Sequence, residues 1–317
     1  TKIMTTYAVF KALQAGQIQL EDQVTISEKA WRMPGSRMFI EVGTQVSIEE
    51  LLLGMIVQSG NDASVALAEH IAGTEGVFAE MMNQYAQQLG MLSTNFHNAT
   101  GMPAEGHMTT ARDLATLARA MIAEFPEYYA WHAVREYTFN DITQSNRNKL
   151  LWRDASVDGL KTGHTEDAGY CLVASAKRDG MRIISVVLGT ASEKARADGS
   201  QALLNYGFRF FETRQLFKAG EEISTARVWK SANEISRLGV LEDLYITVRR
   251  GTYDQLESAI EMPATLIAPL ATGQPVADLR ISLGDEELLR MPLRALEDNP
   301  TGSFWQRTRD SVSLMFE

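Results

Sequence analysis

Residues 157–165 read VDGLKTGHT. The text beyond them, YCLVASA at 170–176, KRDG at 177–180 and MRIISVVLG at 181–189, has the pattern of an antiparallel hairpin. Apolar residues fill both runs, and Asp179-Gly180 accepts the positive φ angles of a two-residue turn. Lys161 and Thr162 stand at the start of a strand that leads into this hairpin. The one cysteine, Cys171, falls in the first run. It excludes an internal disulfide and reads as a small buried strand residue.

Upstream of this stretch, helical periodicity dominates. Ile3, Met4, Tyr7, Phe10 and Leu13 predict an amphipathic helix that Ala15-Gly16 closes. VSIEELLLGMIVQSGNDASVALAEHIAG (46–73) keeps apolar residues at helical spacing on both sides of Ser59-Gly60-Asn61. TTARDLATLARAMIAEF (109–125) predicts a helix capped by Thr110 and answered from its first turn by Asp113. DGSQALLNYGFRFFET (198–213) returns to helix.

Between Thr213 and Gly220 the character shifts. ARVWK (226–230), LYITVRR (244–250), ATLIAPL (264–270) and ADLRISL (277–283) are short strand-like pieces broken by Gly, Asn and Asp, the pattern of a small all-β module. GSFWQRTRDSVSLMFE (302–317) is helical again, with Phe304, Trp305, Thr308, Val312 and Met315 on one face and Arg307 and Arg309 elsewhere. Such a helix suits a membrane interface or a docking site on its own domain. The expected divisions are 1–213, 214–300 and 301–317.

The 317 residues suffice for one large and one smaller domain, and 45% apolar with 22% charged residues is an ordinary globular mixture. A net charge of -10 argues against nucleic acid as a partner. No apolar run reaches the roughly 18 residues that cross a bilayer. The five histidines, at 70, 97, 107, 132 and 164, show no paired metal spacing, so neither a metal nor a cofactor is expected.

Ser59-Gly60-Asn61 and Lys161-Thr162-Gly163 are common tripeptides taken singly; their order carries the meaning. Ser-x-x-Lys, then Ser-Asp-Asn, then Lys-Thr-Gly is the motif set of serine β-lactamases and penicillin-binding proteins. Thr1-Lys2 is similar to the second half of Ser-x-Thr-Lys. TKIMTTY (1–7), LLLGMIVQSGNDASVALAEHIAG (51–73), TARDLATLARAMI (110–122), NRNKLLW (146–152), VDGLKTGHTEDAGYCLVASA (157–176) and LLNYGFRFFET (203–213) resemble the D-alanyl-D-alanine carboxypeptidases among the low-molecular-mass penicillin-binding proteins. The β-rich tail and its amphipathic end fit the same layout. The resemblance implies an α+β fold, an antiparallel sheet flanked by helices as in serine β-lactamases and transpeptidases. A small all-β sandwich and a C-terminal amphipathic helix follow.

It also implies the chemistry, in which the terminal D-Ala is cut from peptidoglycan pentapeptides through an acyl-enzyme that β-lactams also form. The nucleophilic serine is expected three residues before Lys2, upstream of Thr1. A serine and a lysine so spaced share a helix face. Lys2 would take the serine proton, its pKa pushed down by burial and by Lys161. Ser59 would shuttle a proton to the leaving amine, and Asn61 would bond the substrate amide. Lys161 and Thr162 suit a carboxylate, Gly163 gives close backbone approach, and the His164 N–H serves the oxyanion hole. Arg196 matches a second positive charge for that carboxylate; a solvated arginine at a helix start is its bland counterpart. Arg147 and Asn148 match a stretch beside the cleft and read as structural, as does His97. Asn98-Ala99-Thr100 has a glycosylation pattern with nothing else to support it. A shorter segment between Lys2 and AWRMPGSRMF (30–39) is expected to reshape the loop above the site.

A class A β-lactamase uses the same motifs but adds a deacylating Glu in a Glu-x-x-Leu-Asn pattern. FPEYYAW (125–131), with Glu127, lacks the Leu and Asn, so slow, incidental β-lactam hydrolysis is expected. A non-catalytic peptidoglycan-binding protein is the other alternative, decided by the residue encoded three before Lys2. Substrates ending in D-Ala-D-Ala place the expected enzyme in the periplasm, on the outer face of the bacterial inner membrane, held to that surface by its C-terminal helix.

Overall fold

Strand β1 (Val157–Thr165) pairs antiparallel with β2 (Gly169–Arg178), which pairs in turn with β3 (Met181–Thr190). Positive φ angles at Asp179 (48°) and Gly180 (81°) close the β2–β3 hairpin as its sequence predicts. Lys161 lies in the middle of β1, not at its start. The computed structural model describes residues 1–315 and divides into two units, Thr1–Arg209 and the chain from Phe210 onward.

The main helices of the first unit are α1 (Lys2–Gln14), α2 (Ile48–Val57), α3 (Asn61–Ala72), α4 (Glu75–Gln88), α5 (Ala111–Glu124) and α6 (Glu193–Phe210). Helix α1 is not amphipathic as its spacing suggested. Every residue from Lys2 to Phe10 is buried, which makes it the central helix of the core. Its polar groups are paired locally: the Thr5 hydroxyl donates to Ala99 O at 2.7 Å and that of Thr6 to Lys2 O at 2.8 Å.

Helix starts follow their caps. Ser47 and Glu50 form a capping box on α2, each accepting from the other's backbone N–H. Thr110 caps α5 by accepting from Asp113 N at 3.1 Å. The Asp113 carboxylate does not answer Thr110; it accepts from Ser93 N at 3.1 Å and the Thr94 hydroxyl at 2.6 Å, fastening the preceding loop instead.

A second carboxylate holds the loop before α2. Buried Asp62 accepts from Met38 N at 3.0 Å, Phe39 N at 2.9 Å and Ile40 N at 3.4 Å. Gly60 is required beside it, because a Cβ there would meet Asp62 Oδ1 at 2.8 Å.

In the second unit, β4 (Phe211–Phe217), β5 (Glu222–Arg227), β6 (Ile235–Gly239), β7 (Leu244–Arg249), β8 (Leu256–Glu261), β9 (Pro275–Leu283) and β10 (Glu286–Ala295) form two sheets. Their orders are β8-β9-β10-β6-β5 and β7-β4. Leu238, Val248, Leu279, Ile281 and Leu293 share one core. The helical reading through Thr213 ends early, since Phe211 already pairs with Arg249. ATLIAPL is not a strand; only Ile267 and Leu270 make single bridges, to Trp229 and Asn299. Helix α7 (Phe304–Ser313) starts inside the expected 301–317 segment, after a capping box of Ser303 and Gln306.

Replacing Asp62 by Ala leaves buried N–H groups without an acceptor. We expect Asp62→Ala to lower unfolding free energy by about 3 kcal/mol, read by equilibrium denaturation; a change near zero would show that the clamp is dispensable.

Candidate active site

The first turn of α1 carries Lys2 into the core, where it is 9% exposed. Its Nζ donates to Asn61 Oδ1 at 2.6 Å and to the carbonyl of Thr100 at 2.7 Å. Burial is the main force pushing its pKa down to about 7; the Arg147 guanidinium adds to this and Asp62 opposes it. The sequence pointed to Lys161 as the cation that acts on Lys2. The two lysines do act on each other, and Arg147 disfavours charge on both, so a residue read as structural belongs to the electrostatics of the site. Asn148, next to it, is structural: fully buried, it donates to Gly159 O at 3.1 Å and accepts from Leu150 N.

The turn between α2 and α3 supplies Ser59 and Asn61. Ser59 has φ +63°, a left-handed conformation that a non-glycine residue adopts at a cost of about 1 kcal/mol or more and that is common at functional sites. Asn61 is 5% exposed. Besides accepting from Lys2, it donates through Nδ2 to Pro34 O at 2.7 Å. In this state its amide is turned to the protein, not outward as the expected contact with a substrate amide would require.

From β1, Lys161 is buried and held well below the ordinary lysine range, by burial first and then by Lys2, Arg147 and Arg196. Its Nζ donates only to Thr162 O, at 3.3 Å, among the described residues. Thr162 is buried beside it and Gly163 is exposed. A Cβ on Gly163 would meet nothing nearer than Cys171 Cβ, at 3.9 Å, so neither packing nor φ demands a glycine there. Cys171 itself is half-buried, less enclosed than its strand pattern suggested.

His164 is exposed, its ring 3.9 Å from that of Tyr170. Arg196 is 3% exposed, which rules out the solvated reading. It donates from Nη1 to Gly163 O at 3.1 Å, and its guanidinium stands 5.5 Å from the Tyr170 ring. Lys2 with Asn61, and Lys161 with Arg196, are thus brought into one electrostatic neighbourhood, linked by the shared influence of Arg147. Such a neighbourhood joins a near-neutral amine to a concentration of positive charge, which suits proton transfer beside an anionic group.

Sequence reading missed the Thr100 carbonyl, Asp62 and the weight of Arg147. A backbone carbonyl leaves no side-chain signature; Asp62 was visible directly after Ser59-Gly60-Asn61. The Asn98 amide is used within its own loop, accepting from Thr100 N, the Thr100 hydroxyl and Gly101 N, which accounts for the Asn-Ala-Thr pattern without a glycan. Glu127 is exposed on the short helix Pro126–Tyr129 and makes none of the hydrogen bonds around Lys2.

Known proteins resemble this chain in sequence and fold. Residues 1–192 match the family described as D-alanyl-D-alanine carboxypeptidase, and residues 211–301 match penicillin-binding protein 5, C-terminal domain. D-alanyl-D-alanine carboxypeptidase DacC of Escherichia coli is 43% identical over 324 residues, covering 100% of this chain and 81% of that protein. The solved structure of penicillin binding protein 5 from Haemophilus influenzae superposes with a TM-score of 0.86 at 42% identity, over 94% of this chain and 89% of that one. Penicillin-Binding Protein D2 from Listeria monocytogenes in its ampicillin-bound form gives 0.60 at 29% identity, over 65% and 85%. With its motifs in order, its buried lysines together and both units matched, the chain belongs to the D-alanyl-D-alanine carboxypeptidases, serine hydrolases of the penicillin-binding protein group.

Proposed function

We propose that Lys2 is the general base of a serine-type D-Ala-D-Ala carboxypeptidase that removes the terminal D-Ala from peptidoglycan pentapeptides. The observation that carries this reading is the donor count at Lys2. A neutral amine has two protons, and Asn61 Oδ1 and Thr100 O accept both. The lone pair is left free to receive a third.

The serine three residues before Lys2 attacks the carbonyl carbon of the penultimate D-Ala, and Lys2 takes its proton. As the C–N bond breaks, Ser59 passes a proton to the leaving amine of the terminal D-Ala. Water then hydrolyses the ester, which frees the shortened peptide and restores the serine. Lys161, Thr162 and Arg196 hold the substrate carboxylate, and the His164 N–H contributes to the oxyanion hole. Gly163 keeps space for the substrate backbone, since no contact among the described residues explains its missing side chain. β-Lactams acylate the same serine.

We expect the full-length protein to release one D-Ala per pentapeptide and to gain the mass of one penicillin. Lys2→Ala should slow acylation by about 10²–10⁴-fold; an unchanged rate would remove Lys2 from the mechanism. Gly163→Ala should leave the unfolding midpoint in place yet weaken pentapeptide turnover. Equal turnover would remove the role assigned to the glycine.

The proposed location is the periplasm, on the outer face of the inner membrane, with α7 at the membrane surface. Support comes from the way α7 uses its two sides. Asp310 accepts from Lys230 N at 2.6 Å and Arg309 pairs with Glu234 at 2.7 Å, while Phe304, Trp305 and Val312 stand outward at 64%, 79% and 53% exposure, as does Met315 in the turn just past the helix. The helix is therefore docked by its polar side and carries an open apolar one. Among the described residues no helix is long and apolar enough to cross a membrane. Truncation after Thr301 should move the protein from the membrane fraction to the soluble fraction; equal pelleting would contradict the surface role of α7.

A further inference from the structure

The loop from Asn95 to Met108 has no place in the three motifs, yet it grips the Thr1–Lys2 turn from several directions. Its ends are fastened together, with Asn95 N donating to Met108 O at 2.9 Å and Met108 N to Asn95 O at 3.2 Å. A compact loop with closed ends is the Ω type, which is often functional. Helix α4 anchors its near side, where Asn83 bonds both Phe96 N and Phe96 O and the Glu75 carboxylate accepts from Ala99 N.

Three contacts run from the loop to Thr1 and Lys2. Thr100 O accepts from Lys2 Nζ. Gly101, at φ +82°, lies so close that a Cβ there would stand 3.0 Å from Thr1 Oγ1. His107 Nε2 is 2.7 Å from the same hydroxyl. His97 N donates to His107 Nδ1 at 3.3 Å, which places the imidazole proton on Nε2 and makes His107 the donor to Thr1. Burial is the main force lowering the His107 pKa, so the ring stays neutral in the range where Lys2 titrates.

We propose that residues 95–108 are a clasp for the Thr1–Lys2 turn and that His107 is its positioning residue, joining loop to helix through the Thr1 hydroxyl. His107 acts by keeping Thr100 O on Lys2 and by keeping water away from that amine. The claim rests on Lys2 as the base. The charges facing Lys2 are Arg147, Asp62 and Lys161, and the titratable neighbour of His107 on its own loop is His97.

The test is acylation of the full-length protein by a fluorescent penicillin, followed from about pH 5 to about pH 10. The parent protein should lose rate as pH falls through the Lys2 pKa. His107→Ala should acylate roughly tenfold more slowly near neutral pH. Its acid limb should move to higher pH, because a better-hydrated amine holds its proton more tightly. His107→Gln supplies both an N–H for Thr1 and a carbonyl for His97 N, and should restore rate and limb. Thr1→Val, which removes only the shared hydroxyl, should repeat the displaced limb even if His107→Ala folds poorly. A parent-like rate in His107→Ala would overturn the clasp, and so would a uniform loss of rate with an unmoved limb in both His107→Ala and Thr1→Val. A parent protein with no acid limb would instead overturn the reading of Lys2. The rate ratio of His107→Gln to His107→Ala would then decide the clasp alone.

Discussion

Burying a lysine without a carboxylate in its hydrogen-bond shell is the constraint that organises the first unit. An ammonium in such a place is costly, and the cost falls when the group gives up its proton. Lys2 meets this with two oxygen acceptors, Asn61 Oδ1 and Thr100 O, and, among the described residues, no bonded anion. Each acceptor is held in its own way. Asn61 is fixed by Pro34 O and by its place at the start of α3; Thr100 is fixed by Asn98 and by the loop that α4 anchors. The cations then act together. Arg147 disfavours charge on Lys2, Lys161 and Arg196 alike, so a surface residue reaches every charged group of the site.

How far this was legible varies with what carries each feature. The hairpin of β2 and β3 was readable because its turn, Asp179-Gly180, is a local chemical requirement. Helices α2 and α3 were readable from their apolar periodicity, and α5 from its periodicity together with its Thr110 cap. Helix α1 was readable as a helix but not as a buried one, since Thr5 and Thr6 look polar until their hydroxyls find carbonyl partners inside the core. In the second unit β10 escaped notice: EELLRMPLRA has the composition of a helix, and only pairing with β9 and β6 makes it a strand. ATLIAPL erred the other way, its apolar residues packing without a ladder.

At the site, motif order singled out Lys2, Ser59, Asn61, Lys161, Thr162 and Gly163 as candidates and the family resemblance added His164 and Arg196, although they are spread from α1 to α6. Contacts made by backbone atoms stayed hidden, with Thr100 O the clearest case. So did the long reach of Arg147, because its position says nothing of the charges around it. The His107 bond to Thr1 was invisible for a related reason: a lone loop histidine acquires meaning only when its partner is known.

The most direct test of this account is an NMR titration of the Lys2 side chain in the full-length protein, with ¹³C-labelled lysine and assignment by Lys2→Arg. A midpoint near neutrality, far below an ordinary lysine at about 10.4, is predicted from the burial of its amine and the proximity of Arg147. A midpoint in the ordinary lysine range would mean that Lys2 keeps its proton at neutral pH. The general-base role, and the clasp built around it, would then be contradicted.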